Sequence, residues 1–435
     1  MIDVKIKKTA KLNGEVCAPP SKSYTQRMLI AASLAAGVSR ISGPLISEDT
    51  EATLRAVRAL GAKVKMTKSC WAVTGTPSPR ASKAAIDCGE SGATLRFMIP
   101  VAALAHGSST LLFGGSFERR PAEPLLWSLG VLGVETSTGT VGGKAYVRVE
   151  GRGINGGETR MPGDVSSQFI SGLMFACPLA REDTTIVVTT TLESKGYVEM
   201  TREVLNQHGI IISVSDTDFR QIRIPSGQTY MPCDHRVPGD FSSAAFLLAA
   251  AAITRSKVII NNLDYSLVQG DKAIVGVLKR MGAEGQVCSD KVEIDGKGGS
   301  LKALDVNARD TPDLVPVYAA LACYASGTSR IRGAARLRLK ESDRLQSLHL
   351  ELGKMGADIV VDNDSISVNG PVKLHGAEID PHNDHRIAMA CAVAALGAEG
   401  ETVIHNAECV QKSYPAFFKD LQSLGADIVG GKFDR

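Results

Sequence analysis

Long apolar runs, paired cysteines and a one-sided charge are all missing from this 435-residue chain. The longest uninterrupted apolar stretch, Ala244–Ile253, falls well short of the roughly 20 residues a membrane-spanning helix needs, so no such helix is expected. The N-terminal Met1-Ile2-Asp3-Val4-Lys5 has no apolar core of the kind a secretory leader carries. Nine cysteines are scattered singly, with no Cys-x-x-Cys and no histidine at ligand spacing. This speaks against a disulfide framework and a zinc site, and predicts a cytoplasmic protein. Lys and Arg number 49 against 46 Asp and Glu, a net charge of +3, so no basic excess awaits a nucleic acid. No Gly-x-Ser-x-Gly and no P-loop occur.

What is present is repetition. A glycine closes a helix-like run at Gly61, Gly133, Gly209, Gly282, Gly356 and Gly425, at intervals of about 72 residues. Readings such as Leu60-Gly61-Ala62 and Met355-Gly356-Ala357 are helix C-caps, because glycine alone takes left-handed backbone there without penalty. A polar loop opening an Ala-rich run recurs in step, near Ser23, Ser91, Ser166, Ser242, Thr311 and Asn383. The runs behind these loops, among them Met28–Ala36, Phe169–Ala180 and Ile387–Leu396, are apolar on nearly every face and should be buried. Second helices such as Glu51–Leu60, Val198–His208 and Arg344–Met355 are amphipathic. Strands are expected at Ile210–Val214, Lys257–Ile260 and Asp358–Val361.

Each unit therefore supplies a buried helix, an outer helix and strands to pack on, an α/β arrangement. Three units can share one core, which predicts two domains of three repeats each. The turn-rich Val237-Pro238-Gly239-Asp240 marks one crossing. The strand-like Asp3–Val16 ahead of Pro19-Pro20-Ser21 is expected to close a unit that begins elsewhere. One domain then spans 21–239, the other 1–20 with 240–435, and the chain crosses near 19–21 and 238–240.

The chemistry gathers at helix starts, where unpaired N–H groups attract anions. Ser and Asp there are ordinary caps, and Asp240, Ser242 and Ser243 are assigned to capping alone. A cation at such an end opposes the helix dipole, at a cost of roughly 0.3–1 kcal/mol. Lys22, Arg120, Lys340, Arg386 and Lys412 at equivalent points of a repeat therefore predict convergence on anionic groups, at least one a phosphate near Ser166, Ser167 and Ser194. Among them lie Asp313 and Glu341, candidate general bases, and His385, a candidate proton donor or relay.

Pro-Pro-Ser-Lys-Ser at 19–23 with Arg27, Glu-Ser-Gly-Ala-Thr-Leu-Arg at 90–96, Arg-Pro at 120–121, Ser-Ser-Gln at 166–168, Leu-Lys-Glu-Ser-Asp-Arg at 339–344 and Asp-His-Arg at 384–386 together resemble the 5-enolpyruvylshikimate-3-phosphate synthase family. The likeness runs in order along the whole chain. It implies a two-domain inside-out α/β barrel, each domain three βαβαββ repeats, six in total. It also implies transfer of the enolpyruvyl group of phosphoenolpyruvate to the 5-hydroxyl of shikimate 3-phosphate, with release of phosphate and with no metal or organic cofactor. The expected protein is a monomer whose partners are its two small substrates, with neither nucleic acid nor membrane.

By matching motif, the shikimate 3-phosphate contacts are expected at Lys22, Ser23, Arg27, Ser166, Ser167, Gln168, Ser194, Tyr197, Asp313 and Lys340. Phosphoenolpyruvate is expected at Lys22, Gly92, Arg120, Gln168, Arg344, Arg386 and Lys412. The resemblance makes Glu341 the group that protonates the methylene carbon, Asp313 the base holding the attacking hydroxyl, and Lys22 the cation that helps phosphate leave. Arg336 stands where some relatives carry an Asn that touches substrate. The sister enzyme acting on UDP-N-acetylglucosamine carries a Cys on the loop before its Arg-Pro. Gly114–Pro121 has none, which disfavours that alternative. A six-repeat ring-forming binding protein would need a basic inner face, and the near-neutral charge argues against it.

Glyphosate, the family's inhibitor, occupies the phosphoenolpyruvate position and is slightly longer. Gly92→Ala adds a Cβ where the backbone is expected to approach this anion. It should raise the inhibition constant of glyphosate more than the KM of phosphoenolpyruvate; equal increases in steady-state assays would abandon the steric reading.

Overall fold

The computed structural model describes residues 2–115 and 122–430. Two compact units divide the chain: Pro20–Val237 forms one, and Met1–Pro19 with Pro238–Arg435 forms the other.

In the Pro20–Val237 unit the helices alternate between inner and outer. The inner ones are α1 (Lys22–Leu34), α3 (Gly92–Ala103) and α5 (Ser167–Ala176); the outer ones are α2 (Glu48–Ala59), α4 (Glu123–Val131) and α6 (Lys195–Gln207). The second unit repeats this with inner α7 (Phe241–Ile253), α9 (Val315–Ala322) and α11 (His385–Ala395) and outer α8 (Ala273–Met281), α10 (Arg344–Lys354) and α12 (Phe417–Ser423). Every residue from Phe241 to Ala252 is buried, as is every residue of α9 and α11. A helix with no polar face has nowhere to go but the middle of a core. The expected burial holds except near run ends such as exposed Ala36, which lies past α1, and α1, α5 and α11 each begin ahead of their apolar runs.

Among the described residues, six four-stranded sheets surround these helices. The third repeat shows the plan. Gly157–Met161 runs parallel to Thr184–Val188, which pairs antiparallel with Gln221–Ile224, and Ser213–Val214 completes the sheet at that strand's other edge. A parallel pair needs a crossover, and α5 supplies it. All six sheets have one parallel and two antiparallel pairings in the same order, giving βαβαββ units of an α/β fold. Strand formation at Ile210–Val214 is confined to Ser213–Val214.

The region Asp3–Val16 is not one strand. Val4–Lys7 closes the sheet of the sixth repeat, pairing with Glu401–Ile404 and Ile428–Gly430. Asn13–Cys17 opens the sheet of the fourth, parallel to Lys257–Asn261. The opening strand of the first repeat's sheet is likewise distant in sequence, His235–Arg236 beside Val38–Ser42. Where the chain passes between units, Asp240 N–H donates to Pro19 O at 2.9 Å and Gly239 N–H to Asn262 O at 2.9 Å. A Cβ on Gly239 would lie 2.0 Å from that Asn262 oxygen, so the close approach requires glycine.

The six repeat glycines all have positive φ, from 79° at Gly209 to 112° at Gly61. Each follows an outer helix, and the next residue's N–H reaches back five positions, as in Ala62 to Val57 O, Ile210 to Leu205 O and Ala357 to Leu352 O. This is the Schellman termination, and it satisfies carbonyls that the helix end would leave bare.

A histidine pair ties α6 to the strand before the crossing. His208 Nδ1 lies 2.7 Å from Met231 O and must donate to it, so Nε2 of the neutral ring accepts from His235 Nε2–H at 2.8 Å. Burial lowers both; His235, burdened further by His208, is pushed down to about 4. Folded His235 thus stays neutral while its unfolded counterpart, near 6.5, takes up a proton. Stability should therefore fall as pH drops from about 6.5 to about 4, on the order of 2 kcal/mol. Urea midpoints across that range should show a smaller drop for His235→Gln; identical profiles would remove the pair as the cause.

Candidate active site

In the Pro20–Val237 unit, contacts run in a ring around the starts of the helices. Gln26 on α1 donates to Thr53 Oγ1 at 2.9 Å and to Ser91 and Thr94 on α3 at 3.4 and 3.3 Å. Arg96 on α3 donates to Gln168 Oε1 at 2.8 Å and Ser166 Oγ at 3.4 Å on the opening turn of α5, and lies 5.0 Å from the Phe169 ring centroid. Thr201 on α6 donates to Ser171 Oγ on α5 at 2.9 Å. Arg27 closes the ring, donating to Thr201 Oγ1 at 2.8 Å and to the carbonyls of Ser23 and Tyr197 at 3.1 Å each. Its guanidinium also stands 5.0 Å from Phe97, and burial pushes its pKa down to about 10. Lys22, at the first position of α1, pairs with Asp49 at 2.9 Å. That carboxylate offsets the cost of a cation against the helix dipole.

Of the expected residues of this unit, these contacts join Arg27 to Ser23 and Tyr197, and Arg96 joins Ser166 to Gln168; Lys22 and Gly92 open α1 and α3, Ser167 opens α5 and Ser194 precedes α6. Ser166 caps α5 through Gln168 N–H, whereas Ser194 has left-handed φ of 59° and makes no side-chain cap bond. Arg120 lies outside the described residues.

The other unit holds a denser cluster. Arg344, at the first position of α10 and 1% exposed, donates from Nε to Asp384 Oδ2 at 2.8 Å, from Nη1 to Asp313 Oδ1 at 2.9 Å and from Nη2 to Glu341 Oε2 at 2.8 Å. Asp313 also faces Arg386 Nη2 at 3.4 Å and Lys340 Nζ at 3.6 Å. Burial alone would raise its pKa; Arg386, Lys340 and Arg344 outweigh that and hold it well below the carboxylate range. Lys340 is pushed down to about 8 by burial, against the pull of Asp313. Lys412 donates to Asn383 O at 3.1 Å.

Four placements differ from the sequence reading. Lys340 follows the short 3-10 turn Ala335–Leu339 and Lys412 ends another, Ala407–Lys412, so neither stands at a helix N-terminus. His385 is 1% exposed, its Nδ1 3.9 Å from Asp384 Oδ1, a poor position for direct proton donation to a ligand. Arg344 directs its guanidinium at three carboxylates. Arg336 donates to Arg309 O at 2.8 Å.

Other residues escaped the sequence reading. Asp384 is fully buried at the centre of the cluster; it stood in the quoted Asp-His-Arg but was read only as part of a motif. Asp271 accepts from Ser242 Oγ, and burial together with the nearby Asp313 charge pushes it up to about 7. Asp240 does cap α7, accepting from Ser243 N–H at 2.9 Å. Among the described residues no group of three or more His, Cys, Asp or Glu is arranged to hold a metal, and no helix is long and apolar enough to cross a membrane.

The profile of EPSP synthase (3-phosphoshikimate 1-carboxyvinyltransferase) matches residues 6–421. The chain belongs to this family. Among curated relatives, the 3-phosphoshikimate 1-carboxyvinyltransferase of Methanocaldococcus jannaschii is 43% identical over 426 residues, covering 97% of this chain and 98% of its own length. That of Methanocella arvoryzae is 43% identical over 416 residues, covering 95% and 97%. Among solved structures, an EPSP synthase from Acinetobacter baumannii superposes with a TM-score of 0.83 at 26% identity, covering 99% of this chain and all of that one.

Removing the central cation should be costly. Arg344→Met leaves buried Asp384 and part-buried Asp313 and Glu341 without it, and unfolding experiments should show a loss of about 3–5 kcal/mol. A change under about 1 kcal/mol would show that the three acids do not depend on it.

Proposed function

We propose that this chain transfers the enolpyruvyl group of phosphoenolpyruvate to the 5-hydroxyl of shikimate 3-phosphate, the reaction of the family to which it belongs. The observation that carries the reading is the Asp313–Glu341–Arg344–Asp384 cluster flanked by Lys340, Arg386 and Lys412. It sets Asp313, held ionised, and the carboxyl of Glu341 beside cations, the combination an addition–elimination between two anionic substrates needs.

In the first half, a proton goes to the methylene carbon of phosphoenolpyruvate while the 5-oxygen bonds to its C2 and gives up its own proton. In the second, phosphate leaves C2 and the new methyl group returns a proton, restoring the double bond. Glu341, oriented by Arg344 through one carboxyl oxygen, starts the cycle protonated, delivers that proton to the methylene carbon and retrieves one from the methyl group. Asp313, kept ionised by its cations, accepts a hydrogen bond from the attacking hydroxyl. Lys340, near 8 and 3.6 Å from Asp313, takes up the hydroxyl's proton in its neutral form and gives it to the departing phosphate. Arg386 and Lys412 neutralise the carboxylate and phosphate of phosphoenolpyruvate, and Lys22 favours phosphate departure. Buried His385 acts through Asp384 rather than on substrate.

Ser166, Ser167, Gln168 and Ser194 supply hydroxyl and amide donors to the phosphate of shikimate 3-phosphate, with Ser23, Arg27 and Tyr197 around its ring. Gly92 and Arg120 complete the phosphoenolpyruvate contacts. The protein works as a cytoplasmic monomer without a cofactor.

Phosphate release from phosphoenolpyruvate should require shikimate 3-phosphate and should not occur with UDP-N-acetylglucosamine. Glu341→Gln keeps shape but removes the proton, so kcat should fall by at least about 100-fold with modest change in either KM. Near-full turnover in that variant would refute the acid–base assignment.

A further inference from the structure

We propose that Glu351 is a positioning residue, whose buried carboxylate clamps the turn at 380–383 so that Asn383, Asp384 and Arg386 meet their partners in the anion-binding cluster. The proposal rests on the functional reading above, in which Arg386 and Lys412 take phosphoenolpyruvate.

Glu351 lies two turns after Arg344 on the same face of α10, so one helix grips one loop at two points. Arg344 holds Asp384. Glu351 Oε2 accepts from Asp380 N–H at 3.0 Å, and Oε1 lies 3.0 Å from His382 Nε2, which must donate to it. Between the two grips, His382 and Asn383 have φ of 53° and 56°. Consecutive left-handed residues bearing a Cβ persist only where surroundings enforce them. Asn383 O then meets Lys412 Nζ, and Asp384 Oδ1 accepts from Arg386 N–H at 3.0 Å.

A purely stabilising role explains less. Glu351 is 1% exposed, and its helix neighbours Leu345, Leu348 and Leu352 show that the core takes leucine readily at this face. Lys354 already neutralises its charge, at 2.9 and 2.7 Å. Burying a carboxylate to satisfy one lysine on its own helix gains nothing over an apolar side chain. The two bonds to the loop are what only an acceptor pair provides.

The test measures kcat, both KM values and thermal midpoint in wild type, Glu351→Gln and His382→Asn. The second variant removes the imidazole but tolerates left-handed backbone. KM for phosphoenolpyruvate should rise about tenfold in Glu351→Gln and about threefold in His382→Asn, with KM for shikimate 3-phosphate within about twofold. A lower thermal midpoint with phosphoenolpyruvate KM unchanged, or both KM values rising together, overturns the clamp. Should Glu351→Gln fail to fold, an unchanged phosphoenolpyruvate KM in His382→Asn overturns it equally. Wild-type protein releasing no phosphate refutes the functional reading, and this proposal with it.

Discussion

One guanidinium organises the densest charge cluster of this protein. Arg344 joins Asp313 from the fifth repeat, Glu341 from the loop before its own helix, and Asp384 from the sixth repeat. Asp384 has no exposure and Arg344 almost none, so neither charge could be kept there without the other. The planar fork suits the task, since three of its nitrogens meet three different carboxylates, an arrangement a lysine cannot copy. The carboxylates around it are thereby fixed in orientation, the kind of preorganisation that spares a site reorganisation.

Repetition explains why such a cluster can be built at all. Inner helices with no polar face pack side by side, and their opening turns come together at one end of each unit's core. In the Pro20–Val237 unit those turns are laced by Gln26, Arg96, Arg27 and Thr201. Hydroxyls and amides predominate there, with Lys22 balanced by Asp49. In the other unit the equivalent positions carry carboxylates and cations. The same scaffold thus presents hydroxyl and amide donors in one unit and carboxylates and cations in the other. Outer helices end in the same glycine-dependent turn each time, which directs the chain into its next strand.

Much of the architecture was legible from residue order because it depends on short-range patterns. A C-cap needs only a glycine in the right place, and a buried helix only a run without polar residues. Motifs at helix starts led to Asp313, Glu341 and Arg386 for the same reason. What stayed hidden was which groups meet across distance. Nothing local distinguishes Asp384 as the partner of Arg344, forty residues earlier, or Glu351 as the anchor of His382. Nor did sequence reveal that Asp3–Val16 serves two sheets, because both halves are equally strand-like.

By itself, then, the sequence determined a sixfold α/β repeat, buried inner helices, and an inventory of cations, hydroxyls and acids at their starts. These follow from periodicity and from backbone rules that act within one turn or one strand. Tertiary structure alone decided that Lys22 answers to Asp49, that Arg344 is surrounded by acids, that His385 is shut inside, that Lys340 follows a short 3-10 turn and that Lys412 ends another. The reason is physical: an ion pair or a pKa is set by burial and by neighbours a few ångströms away, and chain folding, not residue order, chooses those neighbours.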